Sequence, residues 1–381
     1  MNAQSPPYAN ASKARVLAAL AFEPPDIVPI FDEYWEEFRA EWRSLKGFSA
    51  SGGDPNAPSS APNDWDIVEY YGVDVRIAIP DETLWPSRAR ALEPSGDFTR
   101  EIDGWGRVIR KRPGSYFLVE ESPGMEADDH DVDALEFEPA DADCRYESFE
   151  KVVAVERLRR CVFTKVGGPF IRTCFLRGME QWLLDLALHP DFARDLVERM
   201  TDHHIAIGLE SLRRANLWDT GVLINDDMCS HRGPMFSPQM FERIFLPDYA
   251  RMIGAFKDAG ARFVILHCDG DLRPLLPMLV DAGIDAINPV QYNAGMKIGE
   301  LQRLYGRRLA YVGGMDNAQI LPYGSDAEAR RHFDELVEWA RFGGVVLGGH
   351  SIGLDVSVQR YEFYHRTIRP GWEPPAWADG R

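Results

Sequence analysis

The sequence predicts an α/β protein, a (β/α)8 TIM barrel with a β-hairpin/loop excursion in its N-terminal half. Three observations indicate this fold. After residue 151, short apolar segments alternate with segments whose apolar residues recur at helical spacing. The apolar segments are almost continuously hydrophobic, which is typical of parallel strands covered by helices on both faces. At least five strand–helix units follow residue 160, and the earlier strands bring the total to about eight.

The N-terminal part contains the first strands and the excursion. Ser12 opens a helical segment that ends at Pro24 and Pro25, and "DIVPIF" (26–31) and "DVRIAIP" (74–80) read as strands. Residues 98–121 hold two alternating segments on either side of Pro113 and Gly114, which predicts a β-hairpin. We therefore expect a single barrel domain over 12–369 with an insertion at about 85–150. Residues 1–11 and 370–381 are expected to be tails.

The C-terminal part supplies the regular units. The predicted strands are "CVFTKVGGPF", "TGVLINDD", "RFVILHCDGD", "DAINPV", "LAYVGGMD" and "GVVLGGHS", and a helical segment follows each. Ser237 and Pro238 form an N-cap and first-turn pair that opens the helix of residues 239–260. A doubly wound sheet is the competing architecture. The chain has no GxGxxG after a strand and no P-loop, so a dinucleotide or nucleotide site of that kind is disfavoured.

Composition excludes several functional classes. The chain has 42 Lys and Arg against 60 Asp and Glu, a net charge of -18, which disfavours nucleic-acid binding. Its five cysteines include no CxxC pair, as expected for free thiols in a reducing compartment. Neither a signal-peptide pattern nor a run of about 18 apolar residues is present, so we expect a cytoplasmic protein without a membrane partner.

Metal-ligand side chains stand at the ends of two predicted strands. In a (β/α)8 barrel, reactive groups lie where the strands end and the βα loops begin. His267 and Asp269 are two residues apart, so on a strand they share a face, and Cys268 points the other way. With His350 they form a set of two imidazoles and one carboxylate, which suits zinc, or iron or manganese with open positions. The alternative is that His267 is an acid/base residue, Asp269 orients it, and no metal binds.

Further candidates follow the other strands. The adjacent Asp226 and Asp227 could supply an acid of raised pKa or a metal ligand, with Asp227 slightly favoured; alternatively, one of them caps the following segment. His231 and Arg232 could bind an anion. Tyr34 and Trp35 could line a substrate pocket or pack in the core. The predicted substrate-binding residues are Tyr34, Trp35, Asn225, His231, Arg232, Asn288 and Asp316; the predicted catalytic residues are Asp227, His267 and Asp226.

Taken together, these stretches resemble the uroporphyrinogen decarboxylase superfamily. The resemblance covers most of the chain and rests on "SKARVLAALAFEPPDIVPIF", "GGPFIRTCFLRGMEQWLLDLALHP", "DDMCSHRGPMFSPQMFERIFLP", "HCDGDLRPLLPMLVDAGIDAINPV" and "YVGGMDN". This superfamily of (β/α)8 barrels includes the decarboxylase itself and the zinc-dependent corrinoid and coenzyme M methyltransferases. The resemblance thus implies the same fold and one of these two chemistries.

This sequence departs from a characteristic motif of each branch. The decarboxylase branch carries an Arg-rich motif similar to "MRQAGR", whereas "FDEYWEEFRAEWR" (31–43) is acidic, with only Arg39 and Arg43 basic. This disfavours a substrate with eight carboxylates. In the methyltransferase branch, zinc is held by His-x-Cys and a later Cys. The resemblance matches these to His267, Asp269 and His350, so both thiolates are replaced by harder ligands, which disfavours a thiol acceptor.

The sequence-based expectation is therefore a metal-dependent methyltransferase or demethylase-type enzyme that acts on a small substrate. His267, Asp269 and His350 would hold a divalent metal, zinc first. A corrinoid on a partner protein is the expected methyl donor, and a homodimer is compatible with the sequence. One alternative is a metal-free decarboxylase of a small aromatic or pyrrolic acid, with His267 and Asp227 handling protons. Another is a non-catalytic corrinoid- or substrate-binding subunit.

Overall fold

The computed structural model describes residues 11–48, 65–113 and 118–375. The strands are β1 (Ile30–Tyr34), β2 (Val75–Ala78), β3 (Arg90–Ser95), β4 (Phe98–Ile102), β5 (Val108–Lys111), β6 (Leu118–Ser122), β7 (Cys161–Gly167), β8 (Gly221–Asn225), β9 (Cys229–Ser230), β10 (Gly233–Pro234), β11 (Phe263–His267), β12 (Ala286–Asn288), β13 (Ala310–Gly314) and β14 (Val345–Ile352). Eight of them form one sheet in the order β1-β14-β13-β12-β11-β8-β7-β2. Its strand pairs run parallel, as in β1 with β14 and β8 with β11.

The two end strands of this sheet, β1 and β2, lie next to each other. They meet where the backbone N–H of Asp74, just before β2, donates to the carbonyl of Ile30 in β1 at 2.9 Å. The strands are as buried as the apolar runs predict, since all five residues of β8 and four of the five in β11 are buried. Parallel strands that alternate with helices confirm the predicted (β/α)8 TIM-barrel class.

Helices alternate with these strands along the chain. They are α1 (Ala11–Leu20), α2 (Glu36–Lys46), α3 (Trp65–Tyr71), α4 (Glu147–Glu156), α5 (Pro169–Arg177), α6 (Met179–Leu188), α7 (Pro190–Ala215), α8 (Pro238–Met240), α9 (Leu246–Asp258), α10 (Leu276–Ala282), α11 (Ile298–Tyr305), α12 (Ile320–Tyr323), α13 (Asp326–Ala340) and α14 (Val358–Ile368). Within the described ranges, no helix has both the length and the apolar character needed to cross a membrane.

The chain divides into two compact units. The first comprises residues 1–78, 151–163 and 285–381, and carries β1, β2 and β12–β14. The second comprises residues 79–150 and 164–284, and carries β3–β6 and β8–β11. The predicted single domain over 12–369 stays a prediction. Of the predicted tails, residues 1–10 and 376–381 lie outside the described residues.

The predicted excursion is a larger element than one hairpin. Strands β3 to β6 form a four-stranded antiparallel sheet in sequence order. The first alternating segment of residues 98–112 folds on itself, because Asp103 accepts hydrogen bonds from the backbone N–H groups of Trp105 and Arg107 at 3.0 Å and closes a turn there. Pro113 follows β5, and Gly114 lies outside the described residues.

The helix-start signals after β10 are confirmed, but the helix they open is interrupted. The Ser237 hydroxyl accepts from the N–H of Met240 at 3.1 Å, and Pro238 is the first residue of α8. The predicted helix over 239–260 then passes through a π-helical turn, Phe241–Phe245, before α9. Pro247 explains the break, since it has no N–H to donate to the preceding turn.

An ion cluster in the first unit fixes β1 against β2. Asp74 is fully buried and sits between two arginines: Arg15 in α1 donates to it at 2.6 Å, and Arg369 just after α14 also donates to it. The same carboxylate accepts the N–H of Ile30 at 2.9 Å. Replacing a buried carboxylate with this many donors is strongly destabilising, because Arg369 and one N–H group of Arg15 would then face a neutral group inside the protein.

An aromatic cluster fills the core of the first unit. Tyr34 lies fully buried against Tyr71 and Tyr361, and its hydroxyl is 2.6 Å from that of Tyr361. His365 joins the cluster, with its ring centroid 5.1 Å from that of Tyr71 and 4.7 Å from that of Trp372. The side chain of His365 is fully buried, and within the described part of the chain neither ring nitrogen has a hydrogen-bond partner.

Replacing His365 by Leu is expected to make the protein more resistant to acid. Burial, together with Arg369 and Arg366, lowers the pKa of His365 to about 3. The unfolded chain therefore binds a proton near pH 6.5 that the folded chain excludes, so stability falls as pH drops below that value. At pH 5 this amounts to about 2 kcal/mol. Urea unfolding of both proteins at pH 7.5 and pH 5 checks this, and equal losses on acidification would contradict it.

Candidate functional site

The candidate site in the second unit begins at the ends of two paired strands. His267 is the last residue of β11, and its Cα pairs in register with that of Asn225, the last residue of β8. The His267 side chain is 12% exposed, so it is reachable from solvent while most of its surface is covered. The structure thus confirms that β8 and β11 deliver polar side chains at matching carboxyl ends.

Asp227 lies against His267 and Asp269. Its Oδ1 is 3.6 Å from His267 Nε2 and accepts the backbone N–H of Asp269 at 3.0 Å. His267 and Asp269 each offer one ligand atom, and these two atoms lie within 4.8 Å of each other. The structure therefore brings together one imidazole and two carboxylates, a donor set suited to zinc, iron or manganese and equally to proton transfer.

The position of Asp269 has a different cause from the one that the sequence suggested. Strand β11 ends at His267, so Asp269 belongs to the following loop and strand alternation does not place it. The loop is held by the β9–β10 hairpin, where Ser230 O accepts the N–H of Asp271 at 2.9 Å. Gly270 has a φ of +91°, and a Cβ there would lie 2.4 Å from Ser230 O, so only glycine fits.

Asp226 is a capping residue in this structure. It is fully buried, its two oxygens accept the N–H groups of Phe170 at 3.0 Å and Ile171 at 2.6 Å, and Tyr249 donates to it at 2.5 Å. Burial raises the pKa of Asp226 to about 6, against the lowering effect of these hydrogen bonds. Asp226 thus caps the start of α5, the structural alternative foreseen for one of the two adjacent carboxylates, and leaves Asp227 as the better proton carrier.

Cys268 takes no part in the ligand set in this arrangement. Its side chain is 5% exposed, and its sulfur accepts the N–H of Met228 at 3.4 Å. Burial, with the neighbouring thiol of Cys229, raises the pKa of Cys268 well above its ordinary value. Because its thiol is buried, Cys268 is less accessible than the donors grouped at the end of β11, namely the nitrogen of His267 and the carboxylate oxygens of Asp227 and Asp269.

His231 and Arg232 form the turn between β9 and β10. Both side chains are exposed, and the turn is tied by the Ser230 hydroxyl, which accepts the N–H of Arg232 at 3.2 Å. Two cationic or titratable side chains on an exposed hairpin could contact an anionic substrate group, and their substrate role stays a prediction.

In the first unit, His350 lies inside β14 and has an unusual backbone. Its φ is +61°, and its Cα pairs with that of Asp32 in β1 after a register shift. Asp32 is buried and accepts the N–H of Gly349 at 2.5 Å and the hydroxyl of Tyr361 at 2.9 Å. Burial raises the pKa of Asp32 to about 6. His350 thus has a left-handed backbone, and its neighbour Gly349 is hydrogen-bonded to a buried carboxylate. Such unfavourable backbone conformations in non-glycine residues cluster at functional sites.

The remaining candidates of the first unit are more deeply placed than the sequence suggested. Asn288, at 3% exposure, ends β12 and donates to Val312 O at 3.1 Å. Asp316, at 4% exposure, accepts the N–H groups of Ala318 and Gln319. These contacts give both side chains a structural role, and the burial of Tyr34 favours core packing over a place in the pocket wall.

Unlike Tyr34, Asn288 and Asp316, Trp35 is not buried. It is partly exposed and is the N-cap residue of α2, with its N–H donating to Ile352 O at 3.0 Å. It is therefore the aromatic candidate best placed to contact a ligand. The position of His350, Asn288, Asp316, Tyr34 and Trp35 relative to the His267 group stays a prediction.

Sequence reasoning identified Glu82 as a polar residue after a predicted strand, but it missed the buried partner of Glu82, Arg172, beside the end of β7. Arg172 in α5 donates to Glu82 at 2.6 Å, and Glu82 also accepts the N–H of Gly167, the last residue of β7. Arg172 lies 5.0 Å from the centroid of the Phe175 ring. The signal for Arg172 was an arginine within the largely apolar start of α5, "PFIRTCF".

Comparisons with known proteins agree with this architecture. The sequence profile described as Uroporphyrinogen decarboxylase (URO-D) matches residues 120–369, more than half of the chain. A solved structure described as a methyltransferase from Methanosarcina mazei superposes with a TM-score of 0.66 over 94% of this chain and 98% of that one, at 16% identity, which shows a common fold. A search of curated proteins finds no matching sequence. The extent of the profile match shows that the chain belongs to the uroporphyrinogen decarboxylase family.

Proposed function

We propose that the protein is a metal-dependent methyltransferase or demethylase-type enzyme acting on a small substrate. His267, Asp269 and His350 would hold a divalent metal, zinc first. The observation that carries the proposal is the cluster of His267, Asp227 and Asp269 at the end of β11. The carboxyl ends of all strands in a (β/α)8 barrel lie on one rim, so His350 on β14 is expected to complete the set.

The donor chemistry fits such a metal. Imidazole and carboxylate suit zinc, manganese and iron, and three protein ligands leave a position open for substrate. Asp227 hydrogen-bonds the N–H of Asp269 and so fixes the loop that carries this ligand. Zinc bound there would act as a Lewis acid toward a substrate oxygen or nitrogen.

The side chains of the chain itself would position the substrate and move its proton. Asp227, 36% exposed beside His267, is the proposed acid that protonates the leaving oxygen or nitrogen as its bond to the methyl carbon breaks. Trp35, Asn225, His231 and Arg232 are the proposed substrate contacts. The methyl group would pass to or from a corrinoid held by a partner protein. The fold shared with a methyltransferase supports this choice.

Metal-free decarboxylation is the second candidate, because the matching family profile is named for a decarboxylase. His267 and Asp227 lie close enough to share proton transfers to the carbon that loses CO₂. The substrate would be a small aromatic or pyrrolic acid. This reaction needs no metal, and therefore the two candidates differ in their response to a chelator.

Metal analysis paired with turnover tests the proposal. We expect zinc in protein purified without chelator, and transfer of a methyl group from one member of a panel of methoxylated aromatic and N-methylated compounds to free cob(I)alamin, which is supplied already reduced under anaerobic conditions. Dialysis against chelator should abolish transfer, and added Zn²⁺ should restore it. Cobalamin absorbance follows the transfer. CO₂ release that persists in chelator would support the decarboxylase instead, and binding without turnover would support a binding subunit.

A further inference from the structure

We propose a second divalent-metal site in the second unit, formed by His130, Asp185 and His189. One ligand atom from each of these residues lies within 4.8 Å of the other two. Two imidazoles and one carboxylate are a donor set that zinc accepts, and water would complete the coordination. The site lies on the segment before α4 and at the junction of α6 and α7, and it uses none of the residues assigned above.

Asp185 is held in the orientation that a metal ligand needs. It is fully buried in α6, and its Oδ2 accepts from Arg177 Nε at 2.8 Å. Its Oδ1 accepts from Gln181 Nε2 at 2.8 Å and lies 3.8 Å from His130 Nε2. Hydrogen bonds that orient a carboxylate in this way are typical of the outer shell of metal sites. Oδ1 is therefore the oxygen nearer the His130 imidazole.

Arg177 also fixes the segment that carries His130. Its guanidinium donates to the backbone carbonyl of Glu126, and to those of Ala127 and Asp129 at 3.0 Å each. His130 follows directly, with its ring edge-on to Phe192 at a centroid distance of 4.6 Å. The same buried arginine therefore sets the positions of both Asp185 and His130, so the arrangement is built into the fold of this unit.

His189 completes the group from the end of the helix. It follows Asp185 by one turn, and its N–H donates to Asp185 O at 2.8 Å. The rings of His130 and His189 have centroids 4.7 Å apart. Ligand atoms around tetrahedral zinc are about 3.3 Å apart, given bonds of about 2.0–2.1 Å. Both imidazoles are exposed, so small side-chain rotations can close the difference.

The residues around the His130, Asp185 and His189 group carry net negative charge. A groove of about 570 Å³ next to His130 is lined by five carboxylates and a single arginine, namely Asp131, Asp133, Asp195, Glu198, Asp202 and Arg199. The positive charge of Arg177 is already paired with Asp185, and its remaining N–H groups donate to three backbone carbonyls. The local field therefore favours a cation. A metal bound here would tie the 124–138 segment to α6 and α7.

Zinc titration of the full-length chain tests this site separately from the proposed active site. The parent for the test is His267→Ala/His350→Ala, which removes the ligands proposed above. We expect it to bind one equivalent of Zn²⁺ by calorimetry, and Co²⁺ to give visible d–d absorption. Adding His130→Ala and His189→Ala should weaken Zn²⁺ binding by more than about 100-fold. Asp133→Asn, a change in the same groove outside the ligand group, should keep the site.

Hydrogen exchange adds a readout specific to this location. Zn²⁺ should slow exchange of the amides in 124–138 in the parent, and it should have no such effect once His130 and His189 are replaced. The exposed histidines are chosen because Asp185 and Arg177 form a buried ion pair whose loss would disturb folding. The proposal is overturned if the parent binds no Zn²⁺, or if the two added alanines leave its affinity unchanged.

Discussion

His267→Ala is expected to lower the affinity of the chain for its active-site zinc by more than about 100-fold, since even loss of an outer-shell partner costs roughly 10–100-fold. His267 is the only nitrogen ligand that the second unit is proposed to contribute to this site. Cys268 is buried, and its thiol pKa is raised well above the usual range. Asp227 is already engaged with the N–H of Asp269. Competition against a chromophoric chelator measures the change.

Cys268→Ala is the matched control for this experiment. It alters the next residue in the chain and removes its thiol, but it is expected to leave zinc affinity within about threefold, since Cys268 is outside the proposed ligand set. His350→Ala should resemble His267→Ala. These measurements are made in a His130→Ala/His189→Ala background, which removes the second proposed zinc site; a stoichiometric zinc that survives both His267→Ala and His350→Ala in that background would remove the assignment. Melting curves of the metal-free variants separate loss of a ligand from loss of the fold.

Asp74→Asn is expected to lower the free energy of unfolding by about 3–5 kcal/mol, the usual loss when one member of a buried charge cluster is removed. Asparagine keeps the size of the side chain but leaves Arg369 facing a neutral amide, and it leaves Arg15 with the exposed Asp26 as its remaining charged partner in this cluster. Both arginines are largely buried, so water cannot compensate them. The lost contact with the N–H of Ile30 adds to the effect. Urea unfolding followed by tryptophan fluorescence measures it.

Asp26→Asn provides the comparison, because Asp26 pairs with the same Arg15 from the surface. Its side chain is 65% exposed, although the distance to Arg15 is 2.7 Å. Arg15 lowers the pKa of Asp26 to about 2, but solvent screens an exposed pair, and we expect a loss below about 1 kcal/mol. Equal effects of the two substitutions would show that burial does not set the strength of the Asp74 cluster.

The sequence was most informative where local signals and the fold agreed. Alternating apolar strands and helices predicted the barrel, and the Ser237–Pro238 pair predicted the start of α8, because both signals act within a few residues. It was less informative about the insertion. The turn at Asp103 depends on hydrogen bonds that no apolar pattern reveals, and therefore a four-stranded sheet was read as one hairpin.

The candidate site was predictable in its residue types but not in its contacts. Position at a strand end identified His267 and Asn225, since parallel strands end together. Nothing local distinguished Asp226 from Asp227, because the difference comes from Phe170, Ile171 and Tyr249, which lie elsewhere in the chain. The role of Tyr34 likewise depended on whether distant aromatic side chains covered it.

The Asp74 cluster bears on the order in which the chain can fold during synthesis. Its carboxylate needs Arg15 from the start of the chain and Arg369 from near its end. The ribosome delivers the last piece of the first unit, residues 285–381, after every residue of the second unit has been made. A nascent chain therefore carries Asp74 and Arg15 without Arg369 through most of translation, and the Asp74 cluster can be completed only after all residues of the second unit have been synthesised.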